Sequence, residues 1–146
     1  MEVYTIGFTK KSAREFFGIL RGANIGTLVD VRLNNVSQLA GFTKASDLEY
    51  FLGEIGGIRY VHEPLLAPTQ EMLSAYKMKK VVPWEDYERD FLALMGQRRI
   101  EAALDQNLFR DPTVLLCSEP TAEKCHRRLV LQYLAGYWPD LRTIHL

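Results

Sequence analysis

The feature that most constrains this chain is an alternation that runs from one end to the other. Short β-branched and apolar runs occur at residues 2–8 (EVYTIGF), 27–32 (TLVDVR), 58–62 (IRYVH), 113–117 (TVLLC) and 142–146 (RTIHL). Each reads as a strand. Between them, apolar residues return every three or four positions: Phe16, Ile19, Leu20 and Ala23; Leu48, Phe51, Leu52 and Ile55; Trp84, Tyr87, Phe91, Leu94 and Met95; His126, Leu129, Val130, Tyr133, Leu134 and Tyr137. That spacing is the buried stripe of an amphipathic helix. Strands that alternate with helices predict an α/β fold, with a mostly parallel sheet of about five strands and helices on both faces, a Rossmann-like three-layer arrangement.

Local signals punctuate the pattern. Ser12 with Glu15 and Ser46 with Glu49 both have the S-x-x-E spacing of a capping box. Gly22 and the pair Gly56-Gly57 stand where the first two helices should stop, and Pro83 suits the first turn of a later one. Residues 34–43 read as a loop, and 64–80, with two prolines, as a loop holding a short helix. No linker divides the chain, so residues 1–146 are expected to form a single domain.

Composition removes several classes. Apolar residues make up 47% and charged residues 25%, and 18 basic side chains balance 18 acidic ones. Disorder, a collagen-like chain and a strongly basic nucleic-acid binder all have other balances. No apolar stretch approaches the ~18 residues a membrane helix needs, and the first residues form a strand pattern rather than a secretory signal. A cytoplasmic location without a membrane partner is expected, with Cys117 and Cys125 as reduced thiols. Two cysteines spaced C-x7-C-H match no usual zinc pattern, so no metal is expected. The sequence names no cofactor and no oligomeric state.

In a parallel sheet, ligands sit beyond the carboxyl ends of the strands. Those ends carry Gly7 and Thr9, Asp30 and Arg32, His62 and Glu63, and Cys117 and Glu119, and the helix after the fourth strand opens with Cys125-His126-Arg127-Arg128. Asp30 and Arg32, two apart, point the same way and pair a carboxylate with a fixed cation. Glu119 is a second acid–base candidate. His126, on the apolar stripe, faces the sheet and suits a general base or a residue that orients the ligand. Cys117 ends a strand just before a helix, where a thiol is a candidate nucleophile or a small apolar filler. Asp30, Glu119 and His126 are the expected catalytic groups. Thr5, Gly7, Thr9, Arg32, Cys117, Cys125 and Arg127 are the expected ligand-binding groups. Together they predict an enzyme for a small anionic ligand, such as a nucleotide or a nucleic-acid component. A non-catalytic anion-binding regulatory module would use the same groups.

Tyr4-Thr5-Ile6-Gly7, Val29-Asp30-Val31-Arg32, Ile58-Arg59-Tyr60-Val61-His62, Leu115-Leu116-Cys117-Ser118-Glu119 and Cys125-His126-Arg127 occur here in that order. As a set they resemble domain-of-unknown-function family 488, over about residues 2–145. The late C-x-E…C-H-R motif is the most specific part. The resemblance implies an α/β fold with a parallel sheet and a shared site at Thr5, Gly7, Asp30, Arg32, Cys117, Glu119, Cys125, His126 and Arg127, but no chemistry. Where that family commonly has Gly-His-Ser, this chain has Gly7-Phe8-Thr9, and the loop Leu33–Ser37 lacks a basic, proline-containing run. Val-Asp-Val-Arg after one strand and a later strand ending in cysteine also resemble rhodanese-type sulfurtransferases, which would make Cys117 the sulfur carrier.

Overall fold

A computed structural model describes residues 1–36 and 41–146. Residues 37–40, within the predicted 34–43 loop, lie outside the described set. The strands are β1 (Glu2–Gly7), β2 (Thr27–Asp30), β3 (Arg59–His62), β4 (Thr113–Cys117) and β5 (Arg142–His145). They form one parallel sheet in the order β3-β2-β4-β1-β5. The helices are α1 (Ala13–Gly22), α2 (Ala45–Gly56), α3 (Gln70–Leu73), α4 (Trp84–Arg98), α5 (Ile100–Ala103) and α6 (His126–Ala135). The fold class is the one the alternation predicts.

Alternate strand residues face opposite ways and so supply two cores. Ile6, Leu28, Val114 and Leu116 pack with Phe16, Phe17 and Leu20 of α1 and Leu48 and Leu52 of α2. Val3, Val29, Leu115 and Cys117 pack on the other face with Tyr87, Phe91 and Met95 of α4 and Leu129, Val130 and Leu134 of α6. The topology explains the division. The connections β1 to β2 and β2 to β3 run towards one edge of the sheet, through α1 and α2. The connections β3 to β4 and β4 to β5 run towards the other, through α4 and α6. Right-handed crossovers in opposite directions must lie on opposite faces. The chain therefore leaves the tips of β2 and β4 in opposite directions, and a crevice opens between them.

The two predicted capping boxes differ. Ser12 accepts the Glu15 amide at 3.1 Å and Glu15 accepts the Ser12 amide at 3.3 Å, so the first box is complete. The second is not formed: α2 starts at Ala45, and Lys44, which precedes it, makes no side-chain cap. Backbone partners replace the cap. The Ala45 amide donates to the Asn35 carbonyl at 2.8 Å and the Leu48 amide to the Lys44 carbonyl at 2.7 Å, which places Ser46 inside the first turn. Replacing Ser12 by alanine is expected to cost about 1 kcal/mol in urea unfolding. Ser46→Ala should change stability by less than about 0.5 kcal/mol. An equal loss in both variants would contradict this assignment. At the other end of α2, Gly57 adopts φ 62°, the left-handed conformation that ends the helix.

The proline-containing segment holds more structure than its sequence suggests. Pro64–Leu66 is a 3-10 turn, and Thr69 caps α3 by accepting the Met72 amide at 3.2 Å. Helix α3 then widens into a π-helical turn over Ser74–Met78. Among the described residues, no helix is long and apolar enough to cross a membrane.

Candidate active site at the tips of the second and fourth strands

The crevice between β2 and β4 holds a cavity of about 650 Å³. That is within the usual range for small-molecule sites. The loop after β2 supplies Arg32, Leu33 and Asn34 to its wall. The tip of β4 and the start of α6 supply Cys117, Glu119, Lys124, Cys125 and His126. The π-helical turn closes it from above with Tyr76 and Lys77. Lys77 forms an ion pair with Glu119 across the opening.

The two thiols meet at the base of this space. Cys117 faces α6 because it shares the register of Thr113 and Leu115 on β4, and Cys125 is the residue that precedes α6. Both are free and buried. The neighbouring Cys125 thiol holds Cys117 below the ordinary thiol range although burial acts the other way. The Ser118 amide and the charge of Arg127 add to the same effect. Cys125 is pushed up by its neighbour Cys117 and by burial.

Arg127 explains part of this polarity. It is 1% exposed. Its Nη1 donates to the Glu119 carbonyl at 2.7 Å and to Cys125 Sγ at 3.4 Å, and its Nε has no hydrogen-bond partner among the described residues. Among the described residues, no carboxylate lies within ion-pair distance of it. A buried cation without a carboxylate favours a nearby thiolate. The guanidinium fits because Gly7 has no side chain. A Cβ there would overlap the Glu119 carbonyl and stand 3.0 Å from Arg127 Nη1.

His126 Nε2 lies 2.7 Å from the Val31 carbonyl. A carbonyl only accepts, so Nε2 carries the proton and Nδ1 is left as an acceptor. Burial lowers the imidazole pKa and keeps the ring neutral. Cys117 Sγ is 3.6 Å from Nδ1 and 3.8 Å from Nε2. Near-equal distances put the sulfur beside the ring rather than along either nitrogen's lone pair.

Cys117, Cys125 and His126 bring three ligand-type atoms within 4.8 Å of one another, the one such group among the described residues. A metal would need Nδ1 aimed at a point shared with both sulfurs. The placement of Cys117 beside the ring does not provide that aim.

Asp30 and Arg32 belong to a separate network on the α1/α2 face. Arg32 donates through Nε at 2.9 Å to Asp30 Oδ1 and through Nη2 at 2.8 Å to Oδ2, and Nη2 also reaches the Thr43 carbonyl at 2.7 Å. Tyr60 donates to Oδ2 at 2.6 Å, and the Arg32 amide to Oδ1 at 3.1 Å. Burial lowers the Arg32 pKa, but its bond to Asp30 outweighs this and the net direction is up. Burial and the bond to Asp30 both push the Tyr60 phenol up. Asp30 is fully buried with its oxygens engaged, and only Arg32 of this pair reaches the crevice.

Of the residues singled out in the sequence, Arg32, Cys117, Glu119, Cys125 and His126 line the cavity. Asp30 and Arg127 stand behind its wall. Thr5 pairs with His145 at 2.6 Å, Gly7 makes room for the Glu119 carbonyl, and the Thr9 amide donates to the Ser118 carbonyl at 3.0 Å. These three shape the back of the site and do not line the cavity. Sequence reasoning missed Lys77, Tyr76, Tyr87 and Lys124. Tyr76 stacks on Tyr87 at 4.7 Å, Tyr87 packs on Phe91, and Phe91 on His126 at 5.4 Å. An aromatic column thus joins the π turn to the imidazole. The run Tyr76-Lys77, in the segment read as a loop holding a short helix, was the available signal.

Searches of curated proteins and of solved structures find no match to this chain. A family model described as Domain of unknown function DUF488 matches residues 12–134, which takes in every strand-tip residue from Asp30 to Arg127 and leaves Tyr4–Gly7 outside. The chain belongs to that family.

Proposed function

We propose that this protein is an enzyme that acts on a small anionic substrate in the β2–β4 crevice, with Cys117 as its nucleophile. The observation that supports this most is the buried Arg127 guanidinium, which has no carboxylate partner among the described residues and contacts the Cys125 sulfur. A cation held there favours the deprotonated sulfur, the form that attacks. Lys77, Lys124 and Arg32 line the same space and suit an anion. Glu119, the one carboxylate on the wall among the described residues, is the acid–base group, released from Lys77 when the substrate's charge replaces it. His126 orients the tip of β2 through Val31. Asp30 acts through Arg32, which it fixes in place.

Alkylation by iodoacetamide across a pH series, read by peptide mapping, tests this reading. Cys117 should react half-maximally below the ~8.5 of a free thiol. Arg127→Met should move that midpoint upward, because it removes the charge that favours the thiolate. A midpoint at or above the free value, or faster labelling of Cys125 than of Cys117, would overturn it.

A further inference from the structure

We propose that Cys117 and Cys125 work as an attacking and a resolving thiol in exchange with a small, carboxylate-bearing disulfide bound in the crevice. The inference rests on the nucleophile reading above and adds the partner thiol and the substrate class. Three observations carry it. Both sulfurs line the same cavity. They lie within 4.8 Å of each other. The chain between them, Ser118 to Lys124, has no helix or strand and consists of bends and turns, so the two ends are not held apart by a rigid element.

The chemistry balances with these groups. The Cys117 thiolate attacks one sulfur of the substrate RS–SR. The substrate S–S bond breaks, a mixed disulfide Cys117–S–S–R forms, and one RS⁻ departs and takes up a proton. The Cys125 sulfur then attacks Cys117 Sγ. Its proton leaves with the second RS⁻ as RSH, and the Cys117–Cys125 disulfide closes. The substrate gains two electrons and the protein dithiol loses two. A second, external dithiol returns the protein to its reduced form by the reverse exchange.

The site explains the order of attack. Cys117 has the Cys125 thiol within 4.8 Å and the Ser118 amide next to it, and both favour its deprotonated form, so it carries the negative charge first. Cys125, pushed up by the Cys117 charge and by burial, stays protonated until the mixed disulfide removes that charge. Arg127, in contact with Cys125 Sγ, then favours the second thiolate. Lys124, which forms no ion pair among the described residues, and Lys77 stand on the rim where the carboxylates of R would lie.

The test uses the full, reduced chain with glutathione disulfide as the anionic probe and cystamine as a cationic one. Intact mass and non-reducing peptide maps follow the products. The wild-type chain should form the Cys117–Cys125 disulfide without a persisting adduct, and the anionic probe should react on the order of tenfold faster. Cys125→Ser should stop at a glutathione adduct on Cys117, and Cys117→Ser should form none. The proposal falls if wild-type protein keeps the mixed disulfide, if adducts form on Cys125 in the Cys117→Ser variant, or if cystamine reacts as fast. Rapid iodoacetamide labelling of Cys117 with no exchange would end this proposal and leave the nucleophile reading standing. An inert Cys117 in both assays would end both. The wild-type maps alone decide the matter if a serine variant does not fold.

Discussion

Replacing Asp30 by alanine is expected to cost ~3–5 kcal/mol, measured by urea unfolding. The reason is the cation it leaves behind. Arg32 is 4% exposed, and the Asp30 carboxylate takes both of its forked hydrogen bonds. Without Asp30 the guanidinium keeps the Thr43 carbonyl as its remaining described acceptor, and Tyr60 loses the partner it donates to. The charge is then buried and uncompensated. Removing both members should be milder than this single change, because the pair repays its own desolvation only in part. The double variant Asp30→Ala with Arg32→Met is therefore expected to be more stable than the sum of the single losses, the sign a double-mutant cycle reads. Equal and additive losses would show that the two side chains act independently. A stable Asp30→Ala protein would return Asp30 to the list of reacting groups.

Gly7→Ala is the second large effect. The added methyl would overlap the backbone carbonyl of Glu119, which cannot swing aside as a side chain tip does. The β4–α6 loop would have to lift, and with it the bond from the Thr9 amide to Ser118 and the seat of Arg127. A loss of about 3 kcal/mol or more is expected, at the upper end for overpacking. For a chain of this size it corresponds to a fall in Tm on the order of 10 °C. Gly18→Ala is the matched control. Gly18 lies within α1, and a Cβ there meets nothing within 4 Å. That variant should gain about 0.5–1 kcal/mol from helix propensity. If Gly7→Ala unfolds no more easily than the wild type, the close approach of Glu119 to β1 is wrong.

The sheet was legible because its signal is local. The strand runs differ by at most two residues from the observed elements, and the helix stripes place the core residues Phe16, Leu20, Leu48, Leu52, Tyr87, Phe91 and Met95 correctly. Strand order was not legible, since it depends on which edge each crossover runs towards. The choice of face decided the site. Asp30 and Arg32 share a side of β2, as period two requires, but it is the side facing α1 and α2. Cys117 and His126 lie on the opposite one. A list of strand-tip residues carries no record of that division. Arg127 was expected to bind the anionic ligand. It instead turns inward to the Glu119 carbonyl and the Cys125 sulfur, a contact that needs the vacancy at Gly7, remote in sequence. Lys77 and Tyr76 stayed hidden for another reason. The π turn breaks the three-and-four spacing that periodicity relies on.

That same turn makes the roof of the crevice adjustable in a way the sheet is not. A π turn holds one residue more than a regular helix would use over the same stretch. Loss of a single codon between Ser74 and Met78 would let the backbone wind uniformly, keeping the flanking residues in register and re-aiming the side chains within the turn. Tyr76 and Lys77 would then face elsewhere while the strand tips stayed put. Divergence by in-frame deletion thus has a short route here to a different guest.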